Sequence, residues 1–335
     1  KADGYNPVMA CELDFYLLDQ PRDSQDRPQL TPEGDGVCRR SSKVDGLREL
    51  EQIEPFLEDL YAACMAQNIK ARAAISEYAP GQVETTSEHG DALCQMEITL
   101  EHRDALSAMD QAIRYKRIVK DVAHKHGLQA CFMAKPFDHL AGTCMHLHVS
   151  LADADGNNLY ASEDKAGTPL LRRSVDGMLA LLIDSLLLLC PNANSYRRFQ
   201  AHSYAPLTPT WSIDNRAASL RISAGPAYTR HIEHRICGAD SNPYLAMAAS
   251  LVCGYIGMVE RMVPSKAITG SAYNRARTLP RTLEAALDRF SACKPVRNLL
   301  GEDFFEIFYA VKDYELFNYQ SVVSSWEREH LLLRV

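Results

Sequence analysis

The chain has 335 residues, 46% of them hydrophobic, enough to bury one large core or two smaller ones. Its formal net charge of −7 excludes a general affinity for nucleic acid or an anionic membrane surface, since both need clustered positive charge. The longest apolar run, residues 178–190, is too short to span a bilayer and carries Asp184 and Ser185, so it reads as a buried helix.

Residues 8–19 (VMACELDFYLLD) alternate in character and predict a strand. Residues 20–45, rich in Pro, Gly, Asp and Arg, predict a long loop. Helical periodicity covers 46–68, and 71–80 return to strand. Residues 82–93 (QVETTSEHGDAL) and 95–106 (QMEITLEHRDAL) match at an offset of 13, a short tandem duplication and not a solenoid. Residues 104–127 predict a helix, with Asp104 as N-cap and Gly127 after the last turn. Two strands, 129–137 and 145–153, flank a Gly-containing turn. A long helix over 168–190 stops at Pro191. Residues 217–223 and 229–238 predict strands, and 242–263 a helix with Pro243 near its start. From 281 onward the chain reads mainly as helix. The sum is an α+β chain of antiparallel strands and long helices.

The ten cysteines are scattered, without a C-x-x-C, as buried thiols of a cytoplasmic protein would be. In TCMHLHVS (143–150), His146 and His148 stand two apart. On a strand both imidazoles would share a face, as two metal ligands or as two hydrogen-bonded core histidines. Glu12 and Asp14 are likewise two apart. Glu77 follows AAIS, Glu84 and Glu97 each follow Gln-x, and Glu233 lies two before Arg235. A single such acid is most simply a solvated strand edge. The whole set, with a histidine, makes an oxygen-rich site suited to Mg²⁺ or Mn²⁺. Arg197, Arg198, Arg216, Arg221 and Arg235 supply guanidinium forks for carboxylate or phosphate, though surface pairing would explain Arg197 alone. Acids holding divalent cations beside arginines form the pattern phosphoryl transfer needs. No Walker A or kinase glycine loop is present, so a nucleotide would need another architecture.

Four blocks, EYAPGQVE, AKPFDHLAGTCMHLHVSL, NRAASLRIS and RHIEHRICGADSNPYLAMAA, occur in an order that resembles the catalytic domain of the glutamine synthetase superfamily, with the γ-glutamyl-polyamine (glutamate–putrescine) ligases the nearest in flavour. The resemblance implies a curved antiparallel sheet, a half-barrel, packed with helices. It makes 1–335 one catalytic domain, with the family's N-terminal β-grasp domain lying before Lys1. It implies Asp14, Glu77 and the Glu of GQ-x-E at a metal near the substrate, and Glu12, His146 and Glu233 at a metal near the ATP phosphates. His148, Ser150 and Arg221 fall on the nucleotide side. Gly142, Arg198, Arg216 and Arg235 fall on glutamate, and Arg216, Arg221 and Arg235 on the transferring phosphoryl group. The duplication offers two candidates for one ligand: Glu84 keeps the spacing from Glu77, and Glu97 keeps the run into the following helix.

The implied activity is an ATP-dependent carbon–nitrogen ligase making a γ-glutamyl amide through γ-glutamyl phosphate, with putrescine or another polyamine as acceptor. The implied setting is a cytoplasmic homo-oligomer of stacked rings, with active sites between neighbours. Departures stand out. Tyr204 occupies the position of an acid that helps bind ammonium, Ala141 that of an Asn beside Gly142, and His231, with Arg230 adjacent, that of an Arg. A missing ammonium subsite favours a bulkier amine. The alternatives are glutamine synthetase using ammonium, and a non-catalytic relative acting in assembly or sensing. A zinc hydrolase on His146 and His148 would need a third nitrogen or sulfur ligand.

Overall fold

The computed structural model describes residues 3–22, 28–29, 53–77, 94–138, 140–201, 203–263 and 265–335. Among them ten strands form one mixed sheet that does not close into a barrel. They are β1 (Asn6–Arg22), β2 (Pro28–Gln29), β3 (Ala71–Glu77), β4 (Cys94–Leu100), β5 (Arg103–Asp104), β6 (Leu128–Cys131), β7 (Met145–Ala152), β8 (Trp211–Ile213), β9 (Leu220–Ile222) and β10 (Ile232–His234). The strand order is β3-β4-β1-β7-β10-β9-β8, with β2, β5 and β6 also on β1. The described helices are α1 (Glu54–Ala66), α2 (Ala105–Lys125), α3 (Pro169–Leu189), α4 (Pro243–Val259), α5 (Leu283–Ser291), α6 (Lys294–Leu300), α7 (Glu302–Gln320) and α8 (Ser325–Leu331).

β1 is the hub because both of its edges are used. Residues 12–17 pair with β4 on one side. On the other, residues 6–13 pair with β7 and residues 16–19 with β6. The handover from β6 to β7 falls at Asp14, whose backbone N–H donates to Cys144 O at 2.9 Å. That handover corrects the strand expected over 129–137. It ends at Cys131, because β1's edge is already taken and the following backbone finds other partners. Lys135 N–H donates to Asn194 Oδ1 at 2.8 Å, and Thr143 N–H to Ala134 O at 2.9 Å.

Two further expectations are corrected. The sheet is not wholly antiparallel, since β8 and β9 run parallel. The helix expected over 242–263 ends at Val259, and Arg261 then takes a left-handed φ of 51° while Met262 N–H donates back to Gly257 O at 3.0 Å. Its start matches the reading: Asn242 Oδ1 caps Tyr244 and Leu245, and Pro243 occupies the first turn. In α2 the Asp104 Oδ1 cap accepts from Ser107 N–H at 3.1 Å, and Gly127 at φ 73° closes the end.

Alternation sorts the sheet's faces. Met9, Cys11, Leu13, Phe15 and Leu17 of β1, and Met145, Leu147, Val149 and Leu151 of β7, enter the main apolar core with α1, α2 and α3. α3 and α4 make the most extensive helix–helix contact. Gly177 and Gly257 face each other there, with their backbones about 2.7 Å from where a side chain would begin. No described helix is long and apolar enough to cross a membrane.

Candidate functional site

On the other face of these strands the same alternation presents polar residues, and the registers line them up. Glu12 of β1 stands opposite His146 of β7, while His148 of β7 stands opposite Glu233 of β10, which stands opposite Arg221 of β9. The side chains converge. His146 Nδ1 lies 3.0 Å from Glu12 Oε2 and 3.4 Å from Glu233 Oε1. His148 Nε2 lies 2.8 Å from Glu12 Oε1, and Arg221 Nε 2.5 Å from Glu233 Oε2. Arg235 Nη1 pairs with Glu233 Oε1, and its Nε donates to Arg216 O at 3.1 Å. Glu233 is only 1% exposed, so its charge depends on these partners.

The environment fixes protonation. Burial would raise the Glu12 carboxyl, but hydrogen bonds from His146 and His148 outweigh it and hold Glu12 well below the usual carboxylate range. Burial likewise opposes ionisation of Glu233, and the charges of His146 and Arg235 overcome it. His146 is lowered to about 4 by burial and by Arg235. Burial also works against a charge on His148, yet its Glu12 hydrogen bond raises it overall. The result is two ionised carboxylates facing imidazole nitrogens.

These residues fit a divalent cation. Glu12, His148 and Glu233 each offer one donor atom, all within 4.8 Å of one another. Donors around a cation bound at about 2.1 Å sit about 3 Å apart, so a small closure suffices. Glu233 Oε2 makes no aligned hydrogen bond despite its close neighbour Arg221, as expected of an atom directed at a common centre. Two carboxylates and one imidazole form an oxygen-rich donor set for a divalent cation. His146 adjoins this set through both carboxylates, 3.0 Å from Glu12 and 3.4 Å from Glu233.

The other expected residues distribute as follows. Asp14 is buried beside the cluster, where its Oδ2 accepts from Cys144 N–H at 2.9 Å and from the Cys144 thiol at 2.8 Å. Glu97 stands opposite Asp14 in the β1–β4 register, and Glu77 ends β3 opposite Gln95. Glu84 lies outside the described residues. Gly142 packs on the Arg198 stem, and a Cβ there would meet Arg198 Cγ and Ala134 O at 2.5 Å. Buried Arg198 donates from Nη2 to Ile236 O. Ser150 lies on the same face of β7, its hydroxyl 3.4 Å from Val8 O. Arg216 is exposed.

Cys144 is not among the expected site residues, and His231 is expected only as a replacement for an Arg. Cys144 is two residues before His146, so the i+2 rule that pairs the histidines also points to it. His231, whose Nε2 lies 3.0 Å from His148 Nδ1, carries no such local signal. It precedes Glu233 by two, but β10 begins only at Ile232.

With this geometry in place, comparison with known proteins is informative. The family model for the glutamine synthetase catalytic domain matches residues 1–94 and 85–331, two overlapping pieces that meet within the duplication. The chain is 34% identical over 332 residues to the gamma-glutamylputrescine synthetase of Escherichia coli, covering 98% of the chain and 68% of that protein. It is 32% identical over 338 residues to the glutamate–isopropylamine ligase of a Pseudomonas species, covering 97% and 69%. The unliganded structure of GmaS superposes with a TM-score of 0.83 at 25% identity, covering 99% of this chain and 73% of that one.

Proposed function

The chain belongs to the glutamine synthetase family of carbon–nitrogen ligases, and from that membership we propose that it joins glutamate to an amine larger than ammonium. The observation that carries this reading is the convergence of Glu12, His146, His148 and Glu233 with Arg221 and Arg235 on one face of the sheet. In the reaction ATP phosphorylates the glutamate γ-carboxylate. The amine then attacks the acyl phosphate, and phosphate leaves. Divalent ions held by Glu12, His146, His148 and Glu233, with Asp14, Glu77 and Glu84 or Glu97 at a second position, would neutralise the phosphates.

The protein's own groups do the rest. Arg198, with Gly142 against its stem, holds the glutamate. Arg216, Arg221 and Arg235 meet the charge on the transferring phosphoryl group, and His148 and Ser150 line the nucleotide side. Arg221 and Arg235 are pre-positioned by Glu233, so they cost little reorganisation when charge develops. Tyr204 at the position of the family's ammonium-binding acid supports a larger acceptor, as do relatives named for putrescine and isopropylamine.

The free thiols of the eight cysteines placed among the described residues support a reducing, cytoplasmic setting. Exposed Trp326, Leu333 and Val335 near the end of the chain support self-assembly of this catalytic domain. The test is phosphate release from ATP and glutamate with Mg²⁺ or Mn²⁺ across a panel of amines, with the amide identified by mass. Amide formed with a diamine or alkylamine at a higher kcat/KM than with ammonium is the expected result. Absence of metal and nucleotide binding in calorimetry would make the chain a non-catalytic relative.

A further inference from the structure

A cavity of about 770 Å³ opens beside the charged cluster, walled by Tyr204, Ser212, Asp214, Arg216 and Tyr273. Its link to the cluster is short. Arg216 O accepts from Arg235, which pairs with Glu233, and Ser212 stands opposite Arg221 in the β8–β9 register. Tyr273 is near enough for the charges of Arg235 and Arg198 to act on its hydroxyl, which burial nonetheless pushes up to about 12. A water-sized ligand fills about 30 Å³, so this space far exceeds what ammonium needs.

Two of its walls are strained. Only four non-glycine residues among those described have positive φ, and Tyr204 (56°) and Asp214 (46°) are two of them. For a bulky Tyr that conformation is an outlier, and such strain persists where the surroundings enforce it, most often at binding sites. Both residues are solvent-exposed. Asp214 Oδ1 accepts from Ala224 N–H at 3.1 Å, which steadies the carboxylate. The cavity therefore carries a cation, Arg216, whose backbone carbonyl is tied to Arg235, an anion, Asp214, and two electron-rich rings.

We propose that this cavity is the subsite for the non-reacting end of the acceptor amine, with Tyr204 and Tyr273 flanking its alkyl chain and Asp214 pairing with a second ammonium. The assignment rests on the ligase reading above and adds specificity for a diamine. Arg216 at the reacting side disfavours a protonated nitrogen there, as attack requires, while Asp214 attracts the charged far end. Tyrosine faces suit an alkylammonium.

Asp214→Asn tests it, because Asn tolerates the left-handed backbone and keeps the Ala224 hydrogen bond. The readout is the ratio of kcat/KM for 1,4-diaminobutane to that for butylamine, with the KM for glutamate alongside. The ratio is expected to fall up to about fivefold with the glutamate KM unmoved, since one solvent-exposed charge pair is lost. A purely structural role would lower both amines together. Tyr204→Gly, which relieves the strained φ, is expected to lower the use of both alkylamines relative to ammonium. An unchanged diamine-to-monoamine ratio in Asp214→Asn overturns the subsite and leaves the ligase reading standing. No amide from any amine with the unaltered protein overturns the ligase reading and the subsite with it.

Discussion

β1 carries two chemistries on alternate residues of a single backbone. Leu13, Phe15 and Leu17 are fully buried among the helices, each stabilising the fold by about 1.5–3 kcal/mol. Glu12 and Asp14, on the opposite face, are charged groups removed from bulk water, and their desolvation opposes folding. β10 repeats the contrast in three residues: Ile232 and His234 face the helices, whereas Glu233 faces Arg221 and Arg235. The helix side selects for volume and the absence of charge. The open side selects for donor atoms at set separations, at some cost in stability. Changes on the helix side should therefore move stability and activity together, and changes on the open side should separate them.

The largest effect is expected at the seam between α3 and α4. A Cβ on Gly177 would meet Cys253 O at 2.2 Å and Gly257 N at 2.6 Å, both backbone atoms that cannot swing away. Gly177→Ala should cost about 3 kcal/mol or more, and Gly177→Leu should prevent recovery of folded protein. Chemical denaturation and soluble yield report it. A stable, active Gly177→Leu protein would break the distinction at its helix side.

Next comes Glu12→Gln on the open side. It keeps size and removes the charge that both imidazoles face. Ligase turnover should fall about 10²–10³-fold, with cooperative melting retained. The rise in melting temperature on adding Mn²⁺ should vanish with it. Retained metal stabilisation in this variant would remove Glu12 from the donor set.

A pH experiment sharpens the contrast within β10. His234 Nδ1 lies 2.8 Å from Ser250 Oγ, whose own hydroxyl donates to Ala246 O, so the neutral ring donates from Nδ1. Burial lowers its pKa to about 4. The unfolded chain takes up a proton near pH 6.5 and the folded one resists until about 4. The neutral ring's contribution is thus fully present above about 6.5 and is lost as pH falls towards 4. His146 adds a similar slope from the open side. In His234→Leu the fall in unfolding free energy between pH 6.5 and 4.5 should lessen by about one proton's worth, roughly 1.4 kcal/mol per pH unit. An unchanged slope would mean that His234 is charged in the fold.

Much of this division can be read from residue order. Alternation in β1 and β7 is enough to put Glu12, Asp14, His146 and His148 on one side and Leu13, Phe15 and Leu147 on the other. What alternation does not contain is which strands become neighbours. Nothing local to Trp211–Ile213 or Leu220–Ile222 makes them parallel, since three-residue strands take their direction from the chain around them. β6 stops at Cys131 because β7 claims the same edge of β1, a competition between segments far apart in sequence. The roles of His146 and His148 differ by register against β1 and β10, which spacing alone leaves equal.

The smallest effect tests the helix side without touching the core. Asp104 ends β5 opposite Val8 and caps α2 in the same step, its Oδ1 accepting from Ser107 N–H. α2 lies against β1 and β6 through Met109, Ala112, Tyr115 and Val119, all fully buried. Its first turn holds no acid, so Asp104 supplies the negative charge that the helix start favours, while His124 and Lys125 serve the far end. Asp104→Ala should cost about 1 kcal/mol, and Asp104→Ser should recover most of it, because a hydroxyl can also accept from Ser107 N–H. kcat and KM should stay at wild-type values in both, since α2 meets β1 on the face away from Glu12. A stability loss accompanied by an altered KM for glutamate or the amine would show that the two faces of β1 are coupled through the strand.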